Sequence, residues 1–265
     1  MEPHANHKEP IHFCVVTPTF NRIEFLPEAV DSVRSNVKKG YGYDVDFTFE
    51  HFICENCCTD GTKEYLIDEA KKEGANIRFW SEPTKLLPGP ARNAVLKYVP
   101  DNAWIVPLDD DDVMLMRNLY YHAALIKKNP DTQWFVNDFL RMDQNRRYLA
   151  NEDYYAWQFE TPKEMLTTIF NGGCFIQGNV SYSKKIFDEV GGYHKTISMA
   201  EDLDLYIRFL LAGHMPVMSP HISHMHRFHT GNISIGVDTN KHHNDLRTIY
   251  ERYGEQLERL GIEKP

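Results

Sequence analysis

Four adjacent carboxylates, Asp109, Asp110, Asp111 and Asp112, directly follow the apolar run 104–108. Neighbouring like charges repel, and a carboxylate removed from water is strongly destabilised unless it is paired or bound to a metal. Mg²⁺ and Mn²⁺ prefer oxygen ligands and bind one or two carboxylates together with substrate phosphates. The pattern therefore predicts a divalent cation beside a phosphate-bearing ligand. Asp112 alone is assigned differently, as the N-cap of a helix that begins at residue 113.

The acidic segment follows the last of four predicted strands, and predicted helices alternate with these strands. Strands are predicted at 12–17, 47–54, 77–80 and 104–108. Helices are predicted at 22–37, at 91–98 and around 65–67, the last with Thr59 or Asp60 as its N-cap. Such alternation favours parallel strands joined by right-handed crossovers, whose ligands bind at the carboxyl ends of the strands. We therefore expect four polar segments to meet at one edge of the sheet: residues 17–22, 55–56, 89–93 and 109–112.

The second half of the chain is less regular. It predicts strands at 133–140 and 174–182, helices at 162–170, 184–190 and 201–211, and a tail helix at 241–262. Asp202 lies in the first turn of the 201–211 helix, where it either stabilises the helix dipole or acts in catalysis. Four histidines cluster before the tail: His221, His224, His226 and His229. Most of these are expected to be structural or solvated.

Composition limits the class of protein. The 265 residues, 42% hydrophobic and 25% charged, suffice for one large core or two modest domains. A net charge of −9 disfavours nucleic acid as a partner. No signal peptide and no apolar run of membrane-spanning length is found, so we expect a soluble, cytoplasmic protein, with attachment to a membrane face and oligomer formation left open. Five cysteines, an odd number, favour reduced thiols, and no second pair completes a zinc site with those at 54–58.

Taken together, these segments resemble the family 2 glycosyltransferases of the GT-A fold. The resemblance runs through residues 11–236 in six ordered blocks. They are an opening strand and loop at 15–22, a nucleotide-binding turn at 59–62, Gly-x-Ala-Arg-Asn at 89–93, a D-x-D segment at 108–112, acceptor-side Gly-Gly and Glu-Asp motifs within 190–208, and a closing histidine segment at 226–234.

The resemblance implies an α/β fold, a Rossmann-like mixed sheet flanked by helices, with a C-terminal helix. It divides the chain into a nucleotide-sugar-binding half at 11–115, an acceptor half at 116–236 and a helical extension at 237–265. The stretch 141–160 and the residues after 236 match no block of the family.

The resemblance also implies an inverting, metal-dependent transfer of sugar from a nucleotide-sugar to a hydroxyl on a glycan, lipid-linked or protein acceptor, in bacterial-type glycan synthesis. Asp202 would be the general base. Asp111 and His229 would bind Mn²⁺ or Mg²⁺, with Asp109 and His226 in reserve. Gly178, Asn179 and Glu201 would lie on the acceptor side. The donor would be bound by Thr17, Pro18, Thr19, Asn21, Arg22, Glu55, Arg92, Asp109, Asp110 and Asp111.

One block departs from the family pattern. Glu55, Asn56, Cys57 and Cys58 stand where the family carries Asp-Asp-Gly-Ser. The resemblance would make Glu55 the carboxylate that reads the base. A carboxylate can accept N–H groups of uracil or guanine, whereas cytosine has no N3–H. On this basis we favour a UDP-sugar.

Three other functions are weighed against this one. The pattern D-x-D-x-V at 109–113 is also typical of aspartyl-phosphate phosphatases, but their nucleophile lies on the first strand. A nucleotide-sugar-binding module without catalysis would have no need of the Glu201-Asp202 pair. A sugar nucleotidyltransferase would carry a glycine-rich loop after its first strand, and 17–22 contains no glycine.

Overall fold

The protein forms an eight-stranded mixed sheet with helices packed against it. The computed structural model describes residues 10–38, 42, 44–150, 157–173, 175–230 and 239–265. Its strands are β1 (Ile11–Thr19), β2 (Phe47–Glu55), β3 (Ile77–Ser81), β4 (Trp104–Pro107), β5 (Val113–Met114), β6 (Trp134–Asp143), β7 (Val180–Ser183) and β8 (Val217–Phe228). Its helices are α1 (Leu26–Arg34), α2 (Thr62–Ala70), α3 (Pro88–Leu96), α4 (Asn118–Lys128), α5 (Pro162–Phe170), α6 (Lys184–Glu189), α7 (Glu201–Leu211) and α8 (Thr239–Arg259).

The first half of the sheet is parallel, as the alternation of strands and helices predicts. The sheet order is β3-β2-β1-β4-β7-β6-β8-β5, and β1 pairs in parallel with both β2 and β4. Alternate side chains of β1 enter different cores, with Phe13 and Val15 in one cluster and Cys14 and Val16 in the other. A strand covered on both faces reads as a continuous apolar run, which is why β1 was detectable from the sequence.

Two helix starts differ from prediction. The N-cap of α2 is Gly61, at φ 95°, rather than Thr59 or Asp60. The Asp60 carboxylate instead accepts the Thr62 N–H at 3.1 Å, one residue inside the helix. Helix α3 begins at Pro88, three residues earlier than predicted, because proline suits the first turn, where its missing N–H has no partner to lose.

The segment after the four aspartates is a strand and not the predicted helix. Val113 and Met114 form β5, which pairs antiparallel with β8, and helix α4 starts only at Asn118. Asp112 is therefore not an N-cap. Its Oδ1 accepts the backbone N–H of Arg227 at 2.9 Å, so that it ties the acidic segment to β8.

The second half of the sheet is mixed. β7 runs antiparallel to both β4 and β6, and β6 runs parallel to β8. The strand predicted at 174–182 is shorter in the structure, at Val180–Ser183, and residue 174 lies outside the described residues. The helix predicted at 162–170 is confirmed as α5. β8 carries the histidines 221, 224 and 226, which the sequence did not place on a strand.

The predicted tail helix is confirmed as α8, which packs on the body through one apolar stripe. Leu246, Ile249 and Leu257 are buried in the main core, and the ring of Tyr250 lies 5.6 Å from that of Phe170 on α5. Within the described ranges, no helix is both apolar enough and long enough to cross a lipid bilayer. The four described cysteines are free thiols, and Cys174 lies outside the described residues.

Candidate active site

A cavity of about 720 Å³ opens at the carboxyl ends of the parallel strands. Each of the four predicted polar segments contributes to its wall. Predicted residues that line it are Pro18, Thr19, Asn21, Arg22, Arg92, Asp109, Asp110, Asp111, Gly178, Glu201, Asp202 and His226. The edge of the sheet thus gathers these residues, as the topology of parallel strands requires.

The cavity has two halves of different chemistry. The first, the charged half, follows β1, β4 and α3 and contains Arg22, Lys85, Arg92 and the three aspartates 109–111. The second, the apolar half, is formed by the end of α5, the loop 176–178, the start of α7 and the first turns of α8. Its side chains include Ile169, Ile176, Gln177, Ser198, Met199, Leu203, Tyr206 and His242. Asp202 and Glu201 lie in the cavity wall at the N-terminus of α7.

The Gly-x-Ala-Arg-Asn segment joins the two halves. A Cβ at Gly89 would lie 3.3 Å from Glu201 Cβ and 3.2 Å from Tyr193 Cβ, so glycine allows α3 to approach both residues closely. Asn93 donates through Nδ2 to the Tyr193 carbonyl at 2.8 Å and accepts the Tyr193 N–H at 3.1 Å. These two hydrogen bonds join α3 to the segment before α7 and place Arg92 opposite α7.

Arg92 bridges two carboxylates. Its Nη2 lies 2.5 Å from Asp109 Oδ1 and its Nη1 lies 2.5 Å from Glu201 Oε1. The guanidinium is buried, and burial would lower its pKa, but the charges of Asp109 and Glu201 outweigh that effect and raise the pKa. A permanently charged side chain with a planar donor fork is suited to holding two carboxylates at once.

Asp202 lies in an environment that changes its acidity. It lines the cavity, is half-buried, and accepts the Leu203 N–H through Oδ1 at 2.7 Å. Burial raises its pKa to about 6, close to the value at which a base is both deprotonated and strong near neutral pH. Burial likewise raises the pKa of Glu201 to about 7 although Arg92 opposes the shift.

The third acid of α7 has a structural environment. Asp204 is fully buried and accepts both Arg208 Nε at 3.0 Å and Arg208 Nη2 at 2.7 Å. The three acids at the start of α7 are therefore in distinct positions. Glu201 pairs with Arg92, Asp204 pairs with Arg208, and Asp202 faces the cavity.

The aspartates 110–112 also differ from one another. Burial and the neighbouring charge of Asp111 raise the pKa of Asp110, and the same two effects raise that of Asp112. Burial would raise the pKa of Asp111 as well, but a hydrogen bond from His229 and the charge of Arg22 outweigh it and lower the pKa. His229 Nε2 lies 2.9 Å from Asp111 Oδ2, and Arg22 Nη1 lies 3.8 Å from the same oxygen. Asp111 is thus the one of the three whose pKa is lowered.

The donors around Asp111 fit a divalent cation. Asp111 supplies a carboxylate oxygen, the ligand type that Mn²⁺ and Mg²⁺ sites combine with phosphate oxygens. His229 adds an imidazole nitrogen, a ligand of transition metals rather than of Mg²⁺. Nδ1 of the buried His226, in the cavity wall, has no hydrogen-bond partner among the described residues. Burial lowers the pKa of His226 to about 4, so its ring is neutral and has a lone pair available at pH 7. The described residues contain no preassembled group of three or more metal-binding side chains, so substrate oxygens would have to complete the shell.

Four predicted residues do not form part of the cavity wall. Thr17 is buried with its Oγ1 2.8 Å from His51 Nε2, and His229 lies behind Asp111 against the ring of Phe25. Asn179 is fully buried and holds the loop before β7 by accepting the Gln177 N–H at 2.6 Å, so it supports the wall of the apolar half without facing the cavity.

Glu55 is the fourth, and its position lends no support to its predicted role in reading the base, which stays a prediction. The carboxylate is 2% exposed and accepts the backbone N–H of Cys58 at 2.5 Å. This contact closes the turn after β2. The neighbouring Asn56 does line the cavity, and its amide pairs with both the N–H (2.8 Å) and the carbonyl (3.0 Å) of Leu86.

Sequence reasoning missed Lys85, which lies in the loop between β3 and α3. Its Nζ is 3.6 Å from the centre of the Phe20 ring, and both residues line the charged half. The sequence of this loop does not report where a lysine in it points. The Asn56–Leu86 pair, which positions this loop, joins residues 30 apart in the chain.

Comparisons with known proteins agree with this geometry. The model of the family described as Glycosyl transferase family 2 matches residues 14–191. S. aureus TarS 1–349 in complex with UDP-GlcNAc is similar over 96% of this chain and 68% of its own, at 18% identity and a TM-score of 0.71. The mannosyltransferase PcManGT from Pyrobaculum calidifontis, in complex with GDP-Man and Mn²⁺, is similar over the same shares, at 14% identity and a TM-score of 0.64.

A longer TarS structure shows how much of a relative the chain covers. The similarity includes 91% of this chain but 39% of that one, at 17% identity and a TM-score of 0.67. No curated protein matches the sequence. The structural likenesses establish the GT-A fold.

Proposed function

Because the chain belongs to glycosyl transferase family 2, we propose that it transfers a sugar from a nucleotide-sugar to an acceptor hydroxyl with inversion at the anomeric carbon. The observation that carries the proposal is the position of Asp202. It is a half-buried carboxylate with its pKa raised to about 6, in the cavity wall next to the Arg92–Glu201 pair. The family match leaves the phosphatase alternative without support, since the aspartates follow the fourth strand of a glycosyltransferase sheet.

The charged half of the cavity suits the nucleotide diphosphate. Arg22 and Lys85 face it, and negative charge that develops on the leaving group would be stabilised by such fixed cations. Asp111, with His229 or His226, would hold a divalent ion, whose contribution is to neutralise the diphosphate. Asp109 is held by Arg92 at 2.5 Å and would orient the ribose or the ion.

The transfer needs one proton acceptor. Asp202 would take the proton from the acceptor hydroxyl as that oxygen bonds to the anomeric carbon. The bond from this carbon to the diphosphate oxygen breaks at the same time, and the leaving nucleoside diphosphate keeps the electron pair. A single displacement of this kind inverts the configuration. Glu201, held by Arg92, would stay in place as Asp202 becomes protonated.

A uracil nucleotide is the favoured donor. TarS, which shares the fold, has structures in complex with UDP and with UDP-GlcNAc. Glu55 is not among the residues of the cavity wall, and its Oε1 accepts the Cys58 N–H, so its predicted contact with the base gives this preference no further support. Polar contacts to the base would come from residues in the cavity wall such as Asn21 and Asn56.

The apolar half suits an uncharged acceptor. The cationic residues in the described wall, Arg22, Lys85 and Arg92, all belong to the charged half. Ile169, Ile176 and Leu203 instead offer an apolar surface beside the two carboxylates of α7. An acceptor hydroxyl on a neutral glycan or a lipid-linked sugar fits this surface better than an anionic polymer, which would meet the carboxylate of Asp202 and no cation of the apolar half.

Two measurements test the proposal. Thermal unfolding with UDP, GDP, CDP and their common sugars, with and without Mn²⁺, should show stabilisation by a UDP-sugar. A ligand at 100 times its Kd stabilises by about 2.7 kcal/mol. Release of UDP from that donor in the presence of neutral glycan acceptors should then be detected. Stabilisation by no nucleotide-sugar, in Mn²⁺ or without it, would contradict the proposal.

A further inference from the structure

Helix α7 begins without a side-chain cap. Its N-cap residue is Ala200, at φ −115° and ψ 31°, and no side chain caps the first turn. Glu201 and Asp202 follow at once, so the position of both carboxylates depends on the two residues that lead into the helix, Ser198 and Met199. These residues are half-buried and line the cavity.

A carboxylate on α8 holds this lead-in segment. Asp245 Oδ2 accepts the Met199 N–H at 2.7 Å, the Ser198 N–H at 3.1 Å and the Ser198 hydroxyl at 3.1 Å. Three donors on two consecutive residues fix both the position and the direction of the backbone. Hydrogen bonds to an ionised acceptor are about twice as strong as those between neutral groups. Asp245, which lies on α8, therefore fixes the start of α7 as a side-chain cap would.

Helix α8 also holds α7 at a second point. Tyr253 donates its hydroxyl to Asp204 Oδ1 at 3.2 Å, and Arg252 Nη1 lies 3.6 Å from the same oxygen. Asp245 and Tyr253 are two turns apart on α8. Helix α8 therefore holds both the segment that leads into α7 and the first turn of α7. The buried Leu246 and Ile249 lie between these contacts and anchor α8 in the core.

We infer that Asp245 is a positioning residue for Asp202 and that α8 helps to set the geometry of the active site. Asp245 is not among the residues of the cavity wall, whereas His242, one turn earlier on α8, is. Asp245 would thus act through Ser198 and Met199, by setting where the base stands relative to a bound acceptor. The family match ends at residue 191, so α8 lies outside the segment that identifies the family. The inference depends on the proposed role of Asp202.

The test compares Asp245→Ala and Asp245→Asn with the wild-type protein in sugar transfer to a saturating acceptor. Misplacement of a reacting group by about 1 Å can lower a rate by about 10²-fold. We expect Asp245→Ala to lower kcat by between about 10-fold and 10²-fold, with donor Kd unchanged. Asp245→Asn keeps an acceptor oxygen at the same place and should restore most of the rate. The acid limb of the kcat/KM profile should move to lower pH in Asp245→Ala, because a displaced Asp202 is more exposed to water.

Two controls separate this inference from simpler effects. Glu251→Ala removes an exposed pair with Lys264 from the same helix and should leave kcat and donor Kd at wild-type values. Asp202→Asn, assayed in parallel, tests the base itself: if it retains transfer, the proposed function of Asp202 fails. If Asp202→Asn is inactive but Asp245→Ala has a wild-type kcat, the positioning inference alone is overturned. It is also overturned if both Asp245 variants lose kcat and donor affinity in proportion to their loss of stability.

Discussion

The guanidinium of Arg92 on α3 donates to the buried carboxylate of Glu201 on α7 at 2.5 Å, across 109 residues of chain. This contact connects the helix that follows β3 with the helix that carries the proposed base. It also leaves Asp202, the next residue, free of a cationic partner in direct contact among the described residues. The pair thus distinguishes a carboxylate that is held by a cation from its neighbour, the proposed base.

Removal of Arg92 should destabilise the protein. Arg92→Ala leaves Glu201 buried without its counter-charge, and loss of one partner from a buried pair typically costs about 3–5 kcal/mol. Because burial already raises the pKa of Glu201 to about 7, the carboxyl can be protonated at low pH. Urea denaturation should therefore show that Arg92→Ala loses more free energy of unfolding at pH 8 than at pH 5. Arg78→Ala, which breaks an exposed pair with Glu50, should cost under about 1 kcal/mol at either pH.

Substitution of the proposed base should abolish turnover and spare donor binding. General-base catalysis contributes about 10²–10⁴-fold, so Asp202→Asn should lower single-turnover transfer by at least about 10²-fold. Donor Kd should stay at the wild-type value, because the base acts on the acceptor. Near-normal transfer by Asp202→Asn would remove it from the mechanism.

The two neighbouring acids are matched controls for Asp202. Glu201→Gln and Asp204→Asn disrupt the pairs with Arg92 and Arg208, so we expect each to lose stability in denaturant, whereas Asp202→Asn should not. Equal losses of activity in all three variants that follow their losses of stability would indicate a shared structural role.

The pH dependence of transfer should show an acid limb near pH 6. Asp202 must be deprotonated to accept a proton, and burial raises its pKa to about 6, so kcat/KM should rise tenfold per pH unit below that value and level off above it. Glu201→Gln should keep this limb if Asp202 is responsible. A limb that disappears in Glu201→Gln would assign it to Glu201 instead.

The raised pKa of Asp202 also leads to a prediction about the free energy of unfolding. A carboxyl whose pKa is raised in the folded state favours folding while protonated, and this advantage is lost as pH rises from about 4 through about 6. Asp202→Asn cannot ionise, so its stability relative to the wild-type protein should increase over that range. The increase should be at most about 3 kcal/mol, measured by urea denaturation at pH 4.5 and pH 8.

Metal-dependent nucleotide binding should depend on Asp111. Its pKa is lowered by His229 and Arg22 against the effect of burial, so it is anionic at neutral pH, as a metal ligand must be. We expect Asp111→Asn to weaken UDP binding in Mn²⁺ by at least about tenfold, as measured by calorimetry. Asp188→Asn, which removes a surface carboxylate from α6, should have no effect. Equally tight binding by the wild-type protein in EDTA would show that no metal takes part.

Substitution of Glu55 should affect stability without affecting base choice. Its carboxylate accepts the Cys58 N–H in a buried turn, and Glu55→Gln weakens that bond by removing the charge. A loss of about 1–2 kcal/mol is expected, with an unchanged ratio of UDP to CDP affinity. A ratio that falls in the variant would show that Glu55 reads the base after all.

Much of the parallel half was predictable because its signals are local. Strands buried on both faces give continuous apolar runs, and their order along the chain determines which polar segments meet. The pairing of β5 with β8 joins residues 113–114 to residues 224–225, and no local pattern reports it. The prediction of a helix at residue 113 was wrong because pairing with a distant strand overrides the local preference of a short apolar segment.

The site shows the same limit. Asp109, Asp111, Arg92 and Asp202 were identified from their motifs, and the structure brings all four to one cavity. The roles of Glu55 and Asp245 depend on which backbone N–H each carboxylate meets. For Asp245 those donors are 46 and 47 residues away. A carboxylate in a sequence does not reveal whether it will bind a ligand or a loop.

The acidic segment is held at both ends. β4 fixes it before Asp109, and β5, paired with β8, fixes it after Asp112. Ordering a backbone residue costs about 1–2 kcal/mol of conformational entropy, and here that cost falls in folding, before any ligand arrives. A nucleotide that binds these aspartates would meet a preorganised backbone, so its affinity should carry little entropic penalty from this segment. Mutations that loosen β5 would then weaken nucleotide binding without removing a single ligand contact.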